Sequence, residues 1–436
     1  MTNRRRIVLL GIVAEVLIWS GFSAGGDWPQ WRGPHFTGAA DETNLPANWD
    51  PNGGVHIGWT VDLPGPGGAT PIVWKDRVFV SSAQAGGDKL YALCYDAATG
   101  KELWRRDMGR VTTPNKRNEM AAPSPVTDGK LVVFLYGTGA IAGFDLEGEP
   151  AWSRNLAVEY SKLQLNWGHS SSPLLYQDRL YVAVLRSLEV GGDLVGTEYA
   201  PQSFMSALEL ETGKTVWRRP RVTPAQQEAR EGYGTPIPYE AGGRQEVLLA
   251  GADWLTGWNP ANGQEVWRLD YNPRRQANWR LVSTPVVGEG LVYLMLPRAG
   301  SGLWAVRPGG GGQPPEVAWK FEKYTPDVPC SLLYGGRLYV LDDNRKVMTC
   351  LNPATGQQIW QGELGGRDQY FASPLGADGK VYCMDVSGEV VVLKAGATFE
   401  VLGRQCMGGK DVRSSIIAAA GGLFIRTNTT LYFVKN

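Results

Sequence analysis

A surplus of charge of one sign is the first thing this sequence lacks: 43 Lys and Arg are matched by 43 Asp and Glu, for a formal charge of zero. A protein held to nucleic acid by its overall charge needs a basic excess, so no nucleic-acid partner is expected. Histidine and cysteine are scarce, with three and five copies in 436 residues. No two cysteines are adjacent or in C-x-x-C spacing, and no His, Cys and carboxylate set has metal-site spacing, so no metal is expected. Long amphipathic helices are missing too. The one long apolar run is at the start, where Arg4–Arg6 precede Ile7–Phe22, and Gly21, Ser23 and Gly25 offer small residues for cleavage. That is the pattern of an export signal over residues 1–25. The run is short for a membrane span and carries Glu15. No cysteine follows it to carry a lipid anchor. The mature chain is expected to be exported, periplasmic or extracellular, without a membrane span.

Glycine and tryptophan are abundant, at 56 and 17 copies, and the tryptophans recur with a period. DAATGKELW (Asp96–Trp104), DLEGEPAW (Asp145–Trp152), LETGKTVW (Leu210–Trp217), NPANGQEVW (Asn259–Trp267) and NPATGQQIW (Asn352–Trp360) are copies of one cassette, four of them in a shared pattern. PPEVAW (Pro314–Trp319) is looser, AGATFEVL (Ala395–Leu402) ends without tryptophan, and Trp59 precedes them all. Each reads as strand, tight turn, strand: Gly supplies positive φ, while Asp, Asn and Pro pre-set the turn. A second hairpin lies upstream of most copies, as in SPVTDGKLVVF (Ser124–Phe134). Four short strands repeated at this period predict an all-β fold, an eight-bladed propeller of four-stranded antiparallel blades. First strands begin near Thr70, Ser124, Ser172, Thr235, Thr284, Cys330, Ser373 and Ser414. The last copy has three strands, so His56–Leu63 is expected to supply the fourth and close the ring, removing an open sheet edge. Residues 26–55 are a lead-in and 56–436 the propeller.

The form Asp96-Ala97-Ala98-Thr99-Gly100-Lys101-Glu102-Leu103-Trp104 resembles the tryptophan-docking repeat of the quinoprotein dehydrogenases. It also resembles their non-enzymatic relatives, secreted bacterial pyrroloquinoline-quinone-like repeat proteins and the propeller lipoprotein of outer-membrane protein assembly. The resemblance runs from about Trp59 onward, and the lead-in DWPQWRGPHFTG (Asp27–Gly38) is similar to the opening of many such proteins. In the alcohol dehydrogenases of this family the quinone lies in the central channel on a Trp floor. A Ca²⁺ held by carboxylate and amide oxygens polarises it, an Asp is the base, and an adjacent Cys–Cys disulfide covers it. This sequence has no adjacent pair, lacks the long inter-blade insertions, and offers no Glu, Asn and Asp set that matches residue by residue. No catalytic residue and no cofactor are therefore expected; the quinone with Ca²⁺ belongs to the alternative, a dehydrogenase. The expected function is a ligand- or protein-binding scaffold, monomeric, with a carbohydrate-binding or lyase-type propeller as a second alternative.

In a propeller, the loops leading into the innermost strands ring one mouth of the channel, and loops on a rigid scaffold carry function. Here they bring Trp167, His169, Tyr233, Trp279, Arg280, Asp327, Asp368, Tyr370, Asp411 and Arg413. Flat aromatic faces beside charges suit a small polar or carbohydrate ligand, or a turn of a partner protein. The cassette tryptophans are read as filling between blades. Cys94, Cys330, Cys350, Cys383 and Cys406 are read as buried thiols, with a Cys330–Cys350 or Cys383–Cys406 disulfide left open. The longest departure from the period, Ser187–Gln202, is placed between the second and third strands of blade three.

Overall fold

The computed structural model describes residues 26–115, 118–163, 165–186 and 202–436. The proposed export signal, and all of the Ser187–Gln202 insertion except Gln202, lie outside these residues. Eight four-stranded antiparallel sheets form a closed ring. Calling the strands a to d from the channel outward, blade one runs from Ile72–Trp74 to Glu102–Arg110 and blade seven from Leu375–Ala377 to Val401–Cys406. Blade eight takes strands a to c from Ile417–Val434 and strand d from the other end of the chain, Ile57–Asp62. Its register places Trp59 opposite Phe433 and Asp62 opposite Thr430. The predicted closure is what the fold does. The flanks of the insertion, Arg179–Val184 and Phe204–Glu209, are strands b and c of blade three. Among the described residues no helix is long and apolar enough to cross a membrane.

The cassette is a docking device. Trp59, Trp104, Trp152, Trp217, Trp319 and Trp360 each donate the indole N–H to a carbonyl in the c–d turn of the next blade, at 2.8–3.0 Å. At five of these joints the turn glycine lies flat under the ring: a Cβ on Gly100 or Gly263 would come 2.8 or 2.5 Å from the tryptophan. The same glycines sit at φ of 71° and 69°, so turn geometry and docking demand glycine together. Two joints differ. Trp267 donates instead to Glu246 of its own blade, at 2.6 Å. Blade seven, whose cassette lacks tryptophan, is covered by the lead-in. Gln405 donates to the Ala47 carbonyl at 2.9 Å, and Trp49, 5% exposed, donates to Met407 Sδ at 3.0 Å.

All five cysteines are free thiols. Four are buried as expected, but Cys406, at the outer end of a strand d, is exposed.

Candidate functional site

Around the channel the residue two places before each strand a plays one part. The backbone N–H of Thr70 donates to Ser124 Oγ, Ser124 to Ser172, Ser172 to Thr235, and Thr235 to Thr284. Thr284 donates to Cys330 Sγ, Cys330 to Ser373, Ser373 to Ser415, and Ser415 back to Thr70. All eight bonds are 2.9–3.2 Å. Each side chain satisfies a buried donor of the neighbouring blade, so the ring pins the inner strands at one height.

Above this ring lies a pocket of about 290 Å³. Its wall is built from the residue two places before each ring member. Blades one to three present Gly68, Ala122 and Ser170; blades four to seven present Tyr233, Val282, Val328 and Phe371; blade eight presents Arg413. One side is therefore small and the other bulky. Below the ring, the lead-in crosses from blade to blade. Trp28 bridges Val73, the Pro29 carbonyl accepts from Thr127, and the Gln30 amide pairs both backbone groups of Leu175 at 3.0 and 3.1 Å. Arg32 is 3% exposed and donates to the carbonyls of Thr37, Ser331 and Pro374. Trp31, held between these anchors, lines the pocket as its floor.

Of the residues picked out from sequence, Trp167, Tyr233, Arg280 and Arg413 line this pocket. Asp327 stands behind it, with its two carboxylate oxygens 3.1 and 2.8 Å from Arg280 Nη1 and Nη2. Glu228, which sequence reasoning passed over, lies 3.2 Å from Arg280 Nε, accepts from the Trp167 indole at 3.3 Å, and pairs with Arg298 at 2.6 Å. Tyr233 donates to Glu231 and receives the Trp167 N–H at 3.3 Å. Burial, then the Glu231 charge, pushes the Tyr233 phenol up, so it stays a donor.

The other selected residues do not converge. His169 is 1% exposed, and burial pushes its imidazole down to about 4. Trp279 packs between the cores of blades three to five, although it shares the Asn-Trp frame of Trp167. Tyr370 is buried and donates to the Gly365 carbonyl at 3.3 Å. Asp368 and Asp411 are exposed rim residues. A period locates a loop but not the direction of a side chain within it, which is why these five were indistinguishable from the four that line the pocket. Trp31 had a signal, a tryptophan in a Pro- and Gly-rich lead-in, but no repeat to say where that lead-in runs.

Fold and site together define a tryptophan-docked propeller with one end of its channel floored. Residues 47–200, 164–296 and 289–398 match the profile of the family described as outer membrane protein assembly factor BamB, and the chain belongs to that family. It is 26% identical over 333 residues to the quinohemoprotein alcohol dehydrogenase ADH IIB of Pseudomonas putida, a match spanning 71% of this chain and 41% of that enzyme. The chain thus spans less than half the length of that relative. Among solved structures, BamB from Moraxella catarrhalis superposes with a TM-score of 0.58 at 14% identity, covering 87% of this chain and 99% of that one. The quinohemoprotein alcohol dehydrogenase of Comamonas testosteroni gives 0.66 at 13%, covering 94% and 80%. At such identities the structures speak for the fold alone.

Proposed function

We propose that this chain is an exported propeller scaffold that holds a small anionic ligand, or an acidic turn of a partner protein, in the floored pocket at its channel mouth. The observation that carries the reading is the make-up of the wall. Its charged members are Arg280 and Arg413, it has aromatic faces in Trp31, Trp167, Tyr233 and Phe371, and none of its residues is a carboxylate. A guanidinium offers paired donors to a carboxylate or phosphate, and the flat faces take an apolar body. No cofactor is needed for this role, and the protein acts as a monomer outside the cytoplasm.

The family relationship keeps a quinone-dependent dehydrogenase in view, and the aromatic floor favours it. The rest of the site does not fit the metal-activated quinone. Among the described residues the wall supplies no carboxylate to hold calcium, no two cysteines adjoin, and of the acids behind it Glu228 and Asp327 are paired with Arg280 and Arg298 while Glu231 is bonded to Tyr233 and the Asn166 backbone. No chemical step is derived through that group.

The test is a calorimetric titration of the whole protein with benzoate, inorganic phosphate, a neutral disaccharide, and the quinone with and without calcium. Saturable binding of benzoate or phosphate, weakened about tenfold by Arg413→Gln, the loss expected of a single charged hydrogen bond, supports the reading. Binding of the disaccharide or the quinone alone, indifferent to that substitution, would overturn it.

A further inference from the structure

Asp343 lies outside the pocket, in the b–c turn of blade six, and is 2% exposed. Its two oxygens each lie 3.3 Å from the backbone N of Asp327, and Oδ2 also accepts from Val328 at 3.3 Å. Oδ1 accepts the backbone and side-chain N–H of Asn344, both at 3.0 Å. The gripped residues are those that matter at the mouth. Val328 is part of the wall. Asp327 clamps Arg280 and accepts the Arg298 backbone N–H at 3.1 Å. The same turn does similar work in the next two blades: Asp385 accepts from the backbone of Arg367 and Asp368, and Asn428 from that of Lys410. In blade six the latched loop is joined to the pocket through Arg280.

The charges around Asp343 come from three blades. Its own blade gives Asp342, paired with Arg345 at 3.1 Å, and Asp327; the Arg345 guanidinium lies over the Tyr324 ring. From the loops of blade five come Arg280 and Arg298, both joined to Glu228 of blade four. Blade seven packs against the turn through Gln369, bonded to Asn344 at 2.7 Å, and the Tyr370 N–H, bonded to the Asp343 carbonyl at 3.3 Å.

We infer that Asp343 is the positioning residue of the channel mouth: its carboxyl group holds the Asp327–Val328 backbone so that Asp327 fixes Arg280 at the rim. The inference rests on the reading of the channel pocket as a binding site. Burial, and then the charges of Asp327 and Asp342, push the carboxyl up to about 6, above its value in an opened and solvated loop, so the closed loop binds the proton more tightly and the latch tightens as pH falls through 6. The uncharged carboxyl keeps Oδ1 as an acceptor for the Asp327 N–H and sheds the cost of a buried charge.

The test needs no ligand. Hydrogen exchange of residues 324–330 is followed by mass spectrometry from pH 7.5 to 5, corrected for intrinsic exchange. In the wild type, protection is level above pH 7 and rises about tenfold between pH 6 and 5, one pH unit's worth of differential ionisation. Asp343→Asn, uncharged at every pH, is flat, Asp343→Ala is unprotected, and Asp343→Glu regains part of the titration. Benzoate affinity rises over the same range in the wild type and is flat in Asp343→Asn. Protection that is flat or falls with acid in the wild type, or an Asp343→Asn variant that titrates like it, overturns the inference. Should that variant fail to fold, the wild-type profile decides alone. If exchange titrates as expected and benzoate does not bind, the pocket reading falls and the latch stands.

Discussion

A buried imidazole with little hydrogen bonding is a liability in acid, and His169 is one: among the described residues neither ring nitrogen makes a hydrogen bond of good geometry, and only the Ser171 backbone nearby favours the charged ring. Its folded pKa, about 4, lies below its ordinary value of 6.5 because burial and the Arg186 cation both disfavour the charged ring. The unfolded chain therefore binds a proton that the native state refuses. The stability this group contributes is complete above about pH 6.5 and is lost as pH falls through 4. The window corresponds to about 3 kcal/mol. Unfolding free energies from urea titrations at pH 7 and 4.5 should differ by about 2–3 kcal/mol less in His169→Gln than in the wild type; equal differences would show that His169 does not carry the effect. Tryptophan obeys a different rule. Trp104→Ala and Trp217→Ala each remove a ring that is 7% and 6% exposed and docked on the next blade. Each should cost about 3–5 kcal/mol by thermal or urea unfolding, with benzoate binding by the folded fraction unchanged. A variant that kept full stability and lost binding would make its tryptophan a site residue.

At the scale of elements, the repeat and its exceptions behave differently. Turn glycines, the Asp/Asn-x-x-Thr/Asn-Gly cassettes and the three-stranded last copy were legible because local chemistry repeats: Gly100 or Gly263 can be read as a turn and Trp104 or Trp217 as a joint without knowing the neighbours. The lead-in was not legible, because it has no period and its bonds are to residues far along the chain. Gln30 meets Leu175, 145 positions away, and Arg32 meets Pro374, 342 away. The same holds for Glu228, which sits in a short 3₁₀ turn, Gln227–Arg230, that no cassette announces. Gln30 behaves as a piece of strand: its amide oxygen and nitrogen pair the Leu175 backbone as a neighbouring strand would. Gln30→Ala should leave both backbone groups unsatisfied and cost about 1–3 kcal/mol. Hydrogen exchange should rise at residues 174–176 and in the lead-in together. Exchange rising at one and not the other would mean that the lead-in is anchored without this pair.

At the scale of the whole molecule, stability depends on the ring being shut, because a blade buries its faces only against its neighbours. Two devices shut it. The inner one is the circle of hydroxyl and thiol acceptors, with Ser415 and Thr70 joining the last blade to the first at 3.1 Å. The outer one is the strand Ile57–Asp62, whose Trp59 donates to the Ala97 carbonyl of blade one at 2.9 Å and packs edge-on against Phe424 and tilted against Phe433 of blade eight. A chain beginning at Pro64 loses the outer device and the lead-in at once. It leaves blade eight with three strands, an unpaired edge along Thr430–Val434, and the Gly100 face of blade one without its tryptophan. Such an edge invites pairing with another copy. The truncated protein is expected to melt well below a chain beginning at Gly26 and to associate as its concentration rises, seen by calorimetry and sedimentation. A Trp59→Ala variant of the chain beginning at Gly26 separates the parts: it keeps the strand and the lead-in but loses the dock, so it should stay monomeric and lose only the 3–5 kcal/mol or so of one joint. Equal melting of the chains beginning at Pro64 and Gly26 would mean that the inner circle holds the ring alone.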